Sequence, residues 1–226
     1  MKDVEYWNKC GETWKQTWED KETQDIIDKY VVHEGRILKT DVWNEGISTG
    51  AFNIDRYPHL KFVAVEISPV TCESARKKHP DLEIYCADVR DFLPTRKTKE
   101  FDQILDLSTI DHIDPEFYDS IIKEYARISR RLVIIYNIPN KIKDVAVDVW
   151  FFLTRRHRIR LGYTFELDKD WMDGIISKYF NIEERRNIWY GGKYLDPYIP
   201  QLKFIWNWLG LRLLYSNRLV SGVSKE

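Results

Sequence analysis

Five polar side chains stand just beyond five short apolar runs: Asp41, Glu66, Asp88, Asp106 and Asn137. An acid after the second run, as Glu66 is after Lys61-Phe62-Val63-Ala64-Val65, can accept hydrogen bonds from both hydroxyls of an adenosine ribose. Asp88, in Cys86-Ala87-Asp88-Val89-Arg90, can accept from an adenine amino group. Two acids at successive strand ends point to a nucleoside lying across them. Their neighbours Ile67 and Val89 are grouped with them as expected contacts. The densest polar cluster is Asp106-Leu107-Ser108-Thr109-Ile110-Asp111-His112-Ile113-Asp114. Here His112, with an unperturbed pKa near about 6.5, suits a general base at neutral pH, and Asp111 an orienting group or second carboxylate. Asp106 and Ser108, at the head of this cluster, are expected to touch the same ligand. The plainer alternative is a loop in which Asp114 caps the next helix and His112 only packs.

Such an array needs a scaffold that brings strand ends to one edge. The apolar runs predict strands at Arg36–Asp41, Lys61–Glu66, Leu82–Cys86, Phe101–Leu107 and Arg131–Tyr136, with later strands at Asn181–Asn187 and Arg218–Ser224. Ser68 as cap, Pro69 at the first helical position and Pro80 as terminator bound one helix. Further helices are expected over Pro115–Ser129 and Asp168–Phe180. Trp14, Trp18, Ile26, Ile27 and Tyr30 predict an amphipathic helix between Tyr6 and Tyr30. Alternating strands and helices describe an α/β domain with a mostly parallel sheet, whose right-handed crossovers put the strand ends on one edge. Ligands of such sheets bind there, near the point where strand order reverses.

The 226 residues suit a single domain, with residues 1–35 as an N-terminal helical segment and 141–165 and 194–215 as capping or inserted segments. Residues 1–140 hold 20 basic and 26 acidic side chains, and residues 141–226 hold 15 and 10. That balance argues against a nucleic-acid surface, which wants a net basic domain. It leaves room for an anionic acceptor or a peripheral contact with an anionic membrane near Trp150–Leu153 and the basic run Arg155–Arg160. No apolar run approaches the roughly 18 residues of a membrane span. The longest, Phe204–Tyr215, is interrupted by Asn207, Gly210 and Arg212. Cys10, Cys72 and Cys86 are scattered without zinc-ligand spacing, no metal site is expected, and no secretory leader is visible, so a reduced cytoplasmic setting is the expectation.

Several of these segments resemble the class I S-adenosylmethionine-dependent methyltransferases, and within them a bacterial and archaeal branch whose first strand reads LKTD. They are Leu38-Lys39-Thr40-Asp41-Val42-Trp43-Asn44-Glu45, Ala87-Asp88-Val89-Arg90 and Ser108-Thr109-Ile110-Asp111-His112, the last like that branch's STLDH. Tyr136-Asn137-Ile138-Pro139-Asn140 and Gly162-Tyr163-Thr164-Phe165 follow the same pattern. The resemblance implies a Rossmann-like, seven-stranded, mostly parallel sheet with helices on both faces and an antiparallel last strand. It also implies S-adenosyl-L-methionine as cofactor and a small-molecule acceptor. One departure stands out. Where most of these proteins have a glycine-rich turn, this chain has Asp41-Val42-Trp43-Asn44-Glu45-Gly46. Asp41, Asn44 or Glu45 would then meet the methionine ammonium, or the turn closes the site and leaves a non-catalytic nucleoside-binding or scaffold protein. A nicotinamide-dependent oxidoreductase would want Gly-x-Gly-x-x-Gly after the first strand, which is missing. The sequence does not speak to oligomeric state.

Overall fold

The computed structural model describes residues 2–13, 21–47, 52–139, 165, 167–188 and 217–225. Seven strands form one sheet: β1 (Arg36–Lys39), β2 (Lys61–Glu66), β3 (Glu83–Cys86), β4 (Phe101–Leu107), β5 (Ser129–Asn137), β6 (Phe180–Ile188) and β7 (Asn217–Ser224). Their spatial order is β3-β2-β1-β4-β5-β7-β6. Strands β1 to β5 pair in parallel, and β7 runs antiparallel to both β5 and β6. This is the expected seven-stranded architecture, with its single reversed strand lying inside the sheet.

The strands read as continuous apolar runs because both faces of the sheet are covered. Leu38, Val63, Ile104, Leu132 and Ile134 point into one core, under α5 (Val89–Phe92), α6 (Tyr118–Ile128) and α7 (Lys169–Tyr179). Ile37, Leu105, Leu107, Val133 and Ile135 point to the other, with Ile27 of α2 (Lys21–Ile27). Helix α6 presents Ile121, Ile122, Tyr125 and Ile128 to the sheet at three- and four-residue spacing. Helix α4 (Pro69–Lys78) begins where expected: the Ser68 side chain accepts from the Thr71 amide, and Pro69 needs no partner for an N–H it lacks. Gly35, at φ +113°, turns the chain into β1 where a Cβ would collide with Asp102.

Several strand ends move by one or two residues, and three differences from expectation change the local structure. The N-terminal amphipathic stretch holds two described helices, α1 (Lys2–Thr13) and α2, with residues 14–20 outside the described set. Strand β1 ends at Lys39 rather than Asp41, because the chain turns into the short helix α3 (Trp43–Gly46). The helix expected from Pro115 opens as a 3-10 turn, Pro115–Phe117, and Asp114 makes no side-chain cap there. The proposed cap segments, apart from Phe165, lie outside the described residues, as do the Arg155–Arg160 run and Gly162-Tyr163-Thr164. No helix among the described residues is long and apolar enough to cross a membrane.

Candidate active site

Strand order reverses between β1 and β4, and the expected residues gather around the ends of the strands flanking that point. Glu66 closes β2 and is buried. Its Oε1 accepts from the Ser68 amide at 2.8 Å and its Oε2 from the Val42 amide at 3.3 Å. Burial, aided by the nearby Asp41 charge, outweighs these hydrogen bonds and pushes the Glu66 carboxyl up to about 7. Each carboxylate oxygen can accept a second hydrogen bond, so the group is still able to serve a ligand. Ile67 follows it, half-buried.

The glycine-poor turn is built around a buried lysine that the sequence reading overlooked. Lys39 Nζ donates to Asp41 Oδ1 at 2.8 Å, to the Asp41 carbonyl at 3.1 Å and to Glu45 Oε2 at 3.1 Å. Burial alone would push the ammonium down, but Asp41 and Glu45 hold it charged, above the ordinary lysine range. Burial pushes the Glu45 carboxyl up against the pull of Lys39. Asp41 Oδ2 and Glu45 Oε1 are buried acceptors with no hydrogen-bond partner among the described residues. One ammonium thus bridges two carboxylates, Asp41 and Glu45. Asn44 and Glu45 also line a small cavity of about 100 Å³ with Phe52, Asn53, Asp55, Lys78 and His79, which none of Asp41, Glu66 and Asp88 lines.

Asp88 caps α5, its Oδ1 accepting from the Arg90 amide at 2.8 Å. Burial would push its carboxyl up, but the Arg90 guanidinium, at 2.5 Å, holds it below the usual range. An adenine amino group would share this carboxylate with Arg90. The Val89 side chain is in the core, so a ligand would meet only its backbone.

Asp106 is not offered to a ligand. It is fully buried: Oδ1 accepts from the Thr109 and Ile110 amides at 2.7 and 3.2 Å, and Oδ2 from the Tyr125 hydroxyl at 2.9 Å. Position 106 shares the β4 face of Ile104, beneath α6, so the carboxylate ties the loop after β4 to that helix. Burial pushes it up to about 7.

The pair expected to catalyse is split between two directions. Both residues sit in the 3-10 turn Ile110–His112. Asp111 is fully buried, and its Oδ2 accepts from Ser108 Oγ at 3.2 Å, the Asn137 amide at 3.3 Å and the Asn137 side-chain amide. Its Oδ1 has no partner among the described residues, and burial pushes the carboxyl up. Ser108 holds this arrangement at φ +82°, a strained value for a residue with a side chain. His112 is half-buried, its ring edge-on to Trp7 with centroids 4.6 Å apart. Trp7 belongs to α1 and also meets Trp43 of the unusual turn at 6.0 Å. One residue on, Asn8 Oδ1 accepts from Ser68 Oγ at 2.8 Å. Helix α1 therefore bridges the loops after β1, β2 and β4. Lys39 and Trp7 were the residues missed. The only signal for Lys39 was a cation closing an apolar strand with two acids in the next six residues. Among the described residues no group of three or more His, Cys, Asp and Glu could hold a metal ion.

With this geometry in place, the family comparison is specific. Residues 44–136 match the model of a family described as a methyltransferase domain. That span is similar to a methyltransferase domain. The enzyme class and the S-adenosylmethionine cofactor expected from the sequence agree with it. Solved structures share the fold over nearly the whole chain. The N-methyltransferase NodS of Bradyrhizobium japonicum, solved with S-adenosyl-L-homocysteine, is 12% identical, with TM-score 0.58, over 92% of this chain and 88% of its own. The 1,6-didemethyltoxoflavin-N1-methyltransferase of Burkholderia thailandensis is 10% identical, with TM-score 0.56, over 91% and 78%. An S-adenosylmethionine-dependent methyltransferase of Archaeoglobus fulgidus is 12% identical, with TM-score 0.57, over 91% and 92%. At these identities the chain shares their fold and nothing finer. No curated protein sequence matches the chain.

Proposed function

We propose that this chain transfers a methyl group from S-adenosyl-L-methionine to a small-molecule acceptor, with the cofactor lying across the ends of β1, β2 and β3. The observation that carries the reading is the pair of unpartnered buried oxygens, Asp41 Oδ2 and Glu45 Oε1, beside Lys39. A buried acceptor without a donor is costly, and two such carboxylate oxygens call for a cation that donates hydrogen bonds. The α-ammonium of a methionine moiety is such a group. Glu66 would accept from the ribose hydroxyls and Asp88 from the adenine. When bound, the cofactor supplies a methyl group on an electrophilic sulfonium. The protein's own task is then to align the acceptor and exclude water. His112, beside Trp7, would take a proton from a hydroxyl or amine acceptor. The 1,6-didemethyltoxoflavin-N1-methyltransferase, which acts on a small molecule, supports a small acceptor. The Arg155–Arg160 run favours one that carries phosphate or carboxylate.

The test is calorimetric titration with S-adenosylhomocysteine and with 5′-methylthioadenosine, which lacks the amino-acid end. Asp41→Ala should weaken the former roughly 10- to 100-fold, since a charge-assisted hydrogen bond contributes about 1.5–3 kcal/mol, and the latter much less. Equal losses for both would remove the methionine end from this turn. Wild-type protein that binds neither would overturn the reading.

A further inference from the structure

Methyl transfer as proposed uses no thiol, yet two of the three cysteines meet behind the nucleoside acids. Cys72, on α4, is fully buried, and its Sγ donates to the Glu66 carbonyl at 3.5 Å. The same carbonyl accepts from the Ala87 amide at 3.0 Å, and Glu66 is the Cα partner of Cys86 in the β2–β3 ladder. These contacts bring the Cys72 sulfur beside residue 86, and Ile84, two positions back on the same face of β3, packs with Ala75 of α4. Both are free, and they differ in access: Cys86 is exposed, Cys72 is not.

We propose that Cys72 and Cys86 form an oxidation site that a hydroperoxide converts to a disulfide joining α4 to the end of β3. Cys86, the accessible thiol, attacks the peroxide as thiolate; the O–O bond breaks, leaving a sulfenic acid on Cys86 and releasing water. The Cys72 sulfur then attacks that sulfur, the S–O bond breaks, and the oxygen departs as a second water carrying the Cys72 proton. Two thiols and one hydrogen peroxide give one disulfide and two waters, the sulfurs losing the two electrons that the peroxide gains. Burial pushes the Cys72 thiol up, which keeps it protonated and directs the first oxidation to Cys86. The cross-link takes the Cys72 hydrogen bond from Glu66 and tethers the segments that carry Ser68 and Asp88, so oxidation weakens nucleoside binding. That last step rests on the cofactor placement proposed above.

The test treats the full chain with hydrogen peroxide and counts thiols under denaturing conditions. Titratable thiols should fall from three to one, with a Cys72–Cys86 linked peptide that dithiothreitol resolves. Cys72→Ala should instead accumulate a sulfenic acid at Cys86 that dimedone traps, and Cys86→Ser should leave Cys72 reduced. Three surviving thiols, a link through Cys10, or links only between chains would overturn the site. S-adenosylhomocysteine should bind the disulfide form at least tenfold more weakly, with recovery on reduction. Equal binding by both forms would overturn the coupling. If neither form binds, the cofactor reading fails while the thiol result stands.

Discussion

A carboxyl that keeps its proton near neutrality changes what binding and folding do with pH. Glu66 and Asp106 are both raised to about 7, in each case chiefly by burial. Unfolded, each would titrate near its ordinary value around 4, so the folded protein holds protons that the unfolded chain has released. Their stabilising contribution is full below about pH 4 and is lost as pH rises through about 7. Asp106→Asn should remove much of that slope. Its oxygen still accepts from Thr109 and Ile110, while its amide can donate to the Tyr125 hydroxyl. Between pH 5 and pH 8 the wild type should lose roughly 3 kcal/mol more stability to urea than the variant does. A wild-type stability that climbs over this range would refute the burial argument. For Glu66 the consequence concerns ligand: ribose hydroxyls donating to it favour the ionised form. S-adenosylhomocysteine binding near pH 6.5 should release protons and tighten as pH rises through about 7. Calorimetry in buffers of unlike ionisation enthalpy reads that release directly; proton uptake would place the ribose elsewhere.

Between elements, the ties that matter are carboxylates holding several donors at once. Asp173 of α7 accepts from the Tyr136 hydroxyl of β5 at 2.8 Å and from Arg218 of β7 at 2.6 Å, and it forms an ion pair with Arg185 of β6 at 3.0 Å. One side chain thus fastens a helix to three strands. Asp173→Ala would leave the Tyr136 hydroxyl and a largely buried Arg218 guanidinium without their acceptor, at a cost of roughly 3–5 kcal/mol. The urea midpoint should drop accordingly with the slope unchanged; a shift under about 1 kcal/mol would show that water replaces the carboxylate easily. Elements were the most legible part of the sequence, and for a physical reason. Strands covered on both faces leave unbroken runs such as Leu132-Val133-Ile134-Ile135, and α4 carries its own punctuation in Ser68, Pro69 and Pro80. Side-chain direction was less legible. Asp106 stands at a strand end, but strand parity turns it under α6, and parity names a face only once the partners of each face are known. Lys39 was hidden because a lysine ending a strand ordinarily reaches solvent, and only the folded turn shows two acids waiting for it.

At the scale of the whole sheet, strand count was readable from sequence and the reversed last strand only through the family resemblance, whereas the insertion of β7 between β5 and β6 was not readable at all, since pairings across 80 and more residues leave no local signature. That insertion has a consequence for how the protein is made. Synthesis delivers β6 before β7, yet β6 touches the sheet only through β7. While the nascent chain is still growing, β5 is therefore an open edge, and β6 is a strand with nowhere to dock. A vacant edge lined by Ile134, Ile135 and Tyr136 invites pairing with a neighbouring chain on the same messenger. The late arrival of residues 217–224 closes that window in one step, giving both strands their partner together. Folding of this half of the sheet is thus timed by translation, and a slow codon between β6 and β7 would lengthen the exposure.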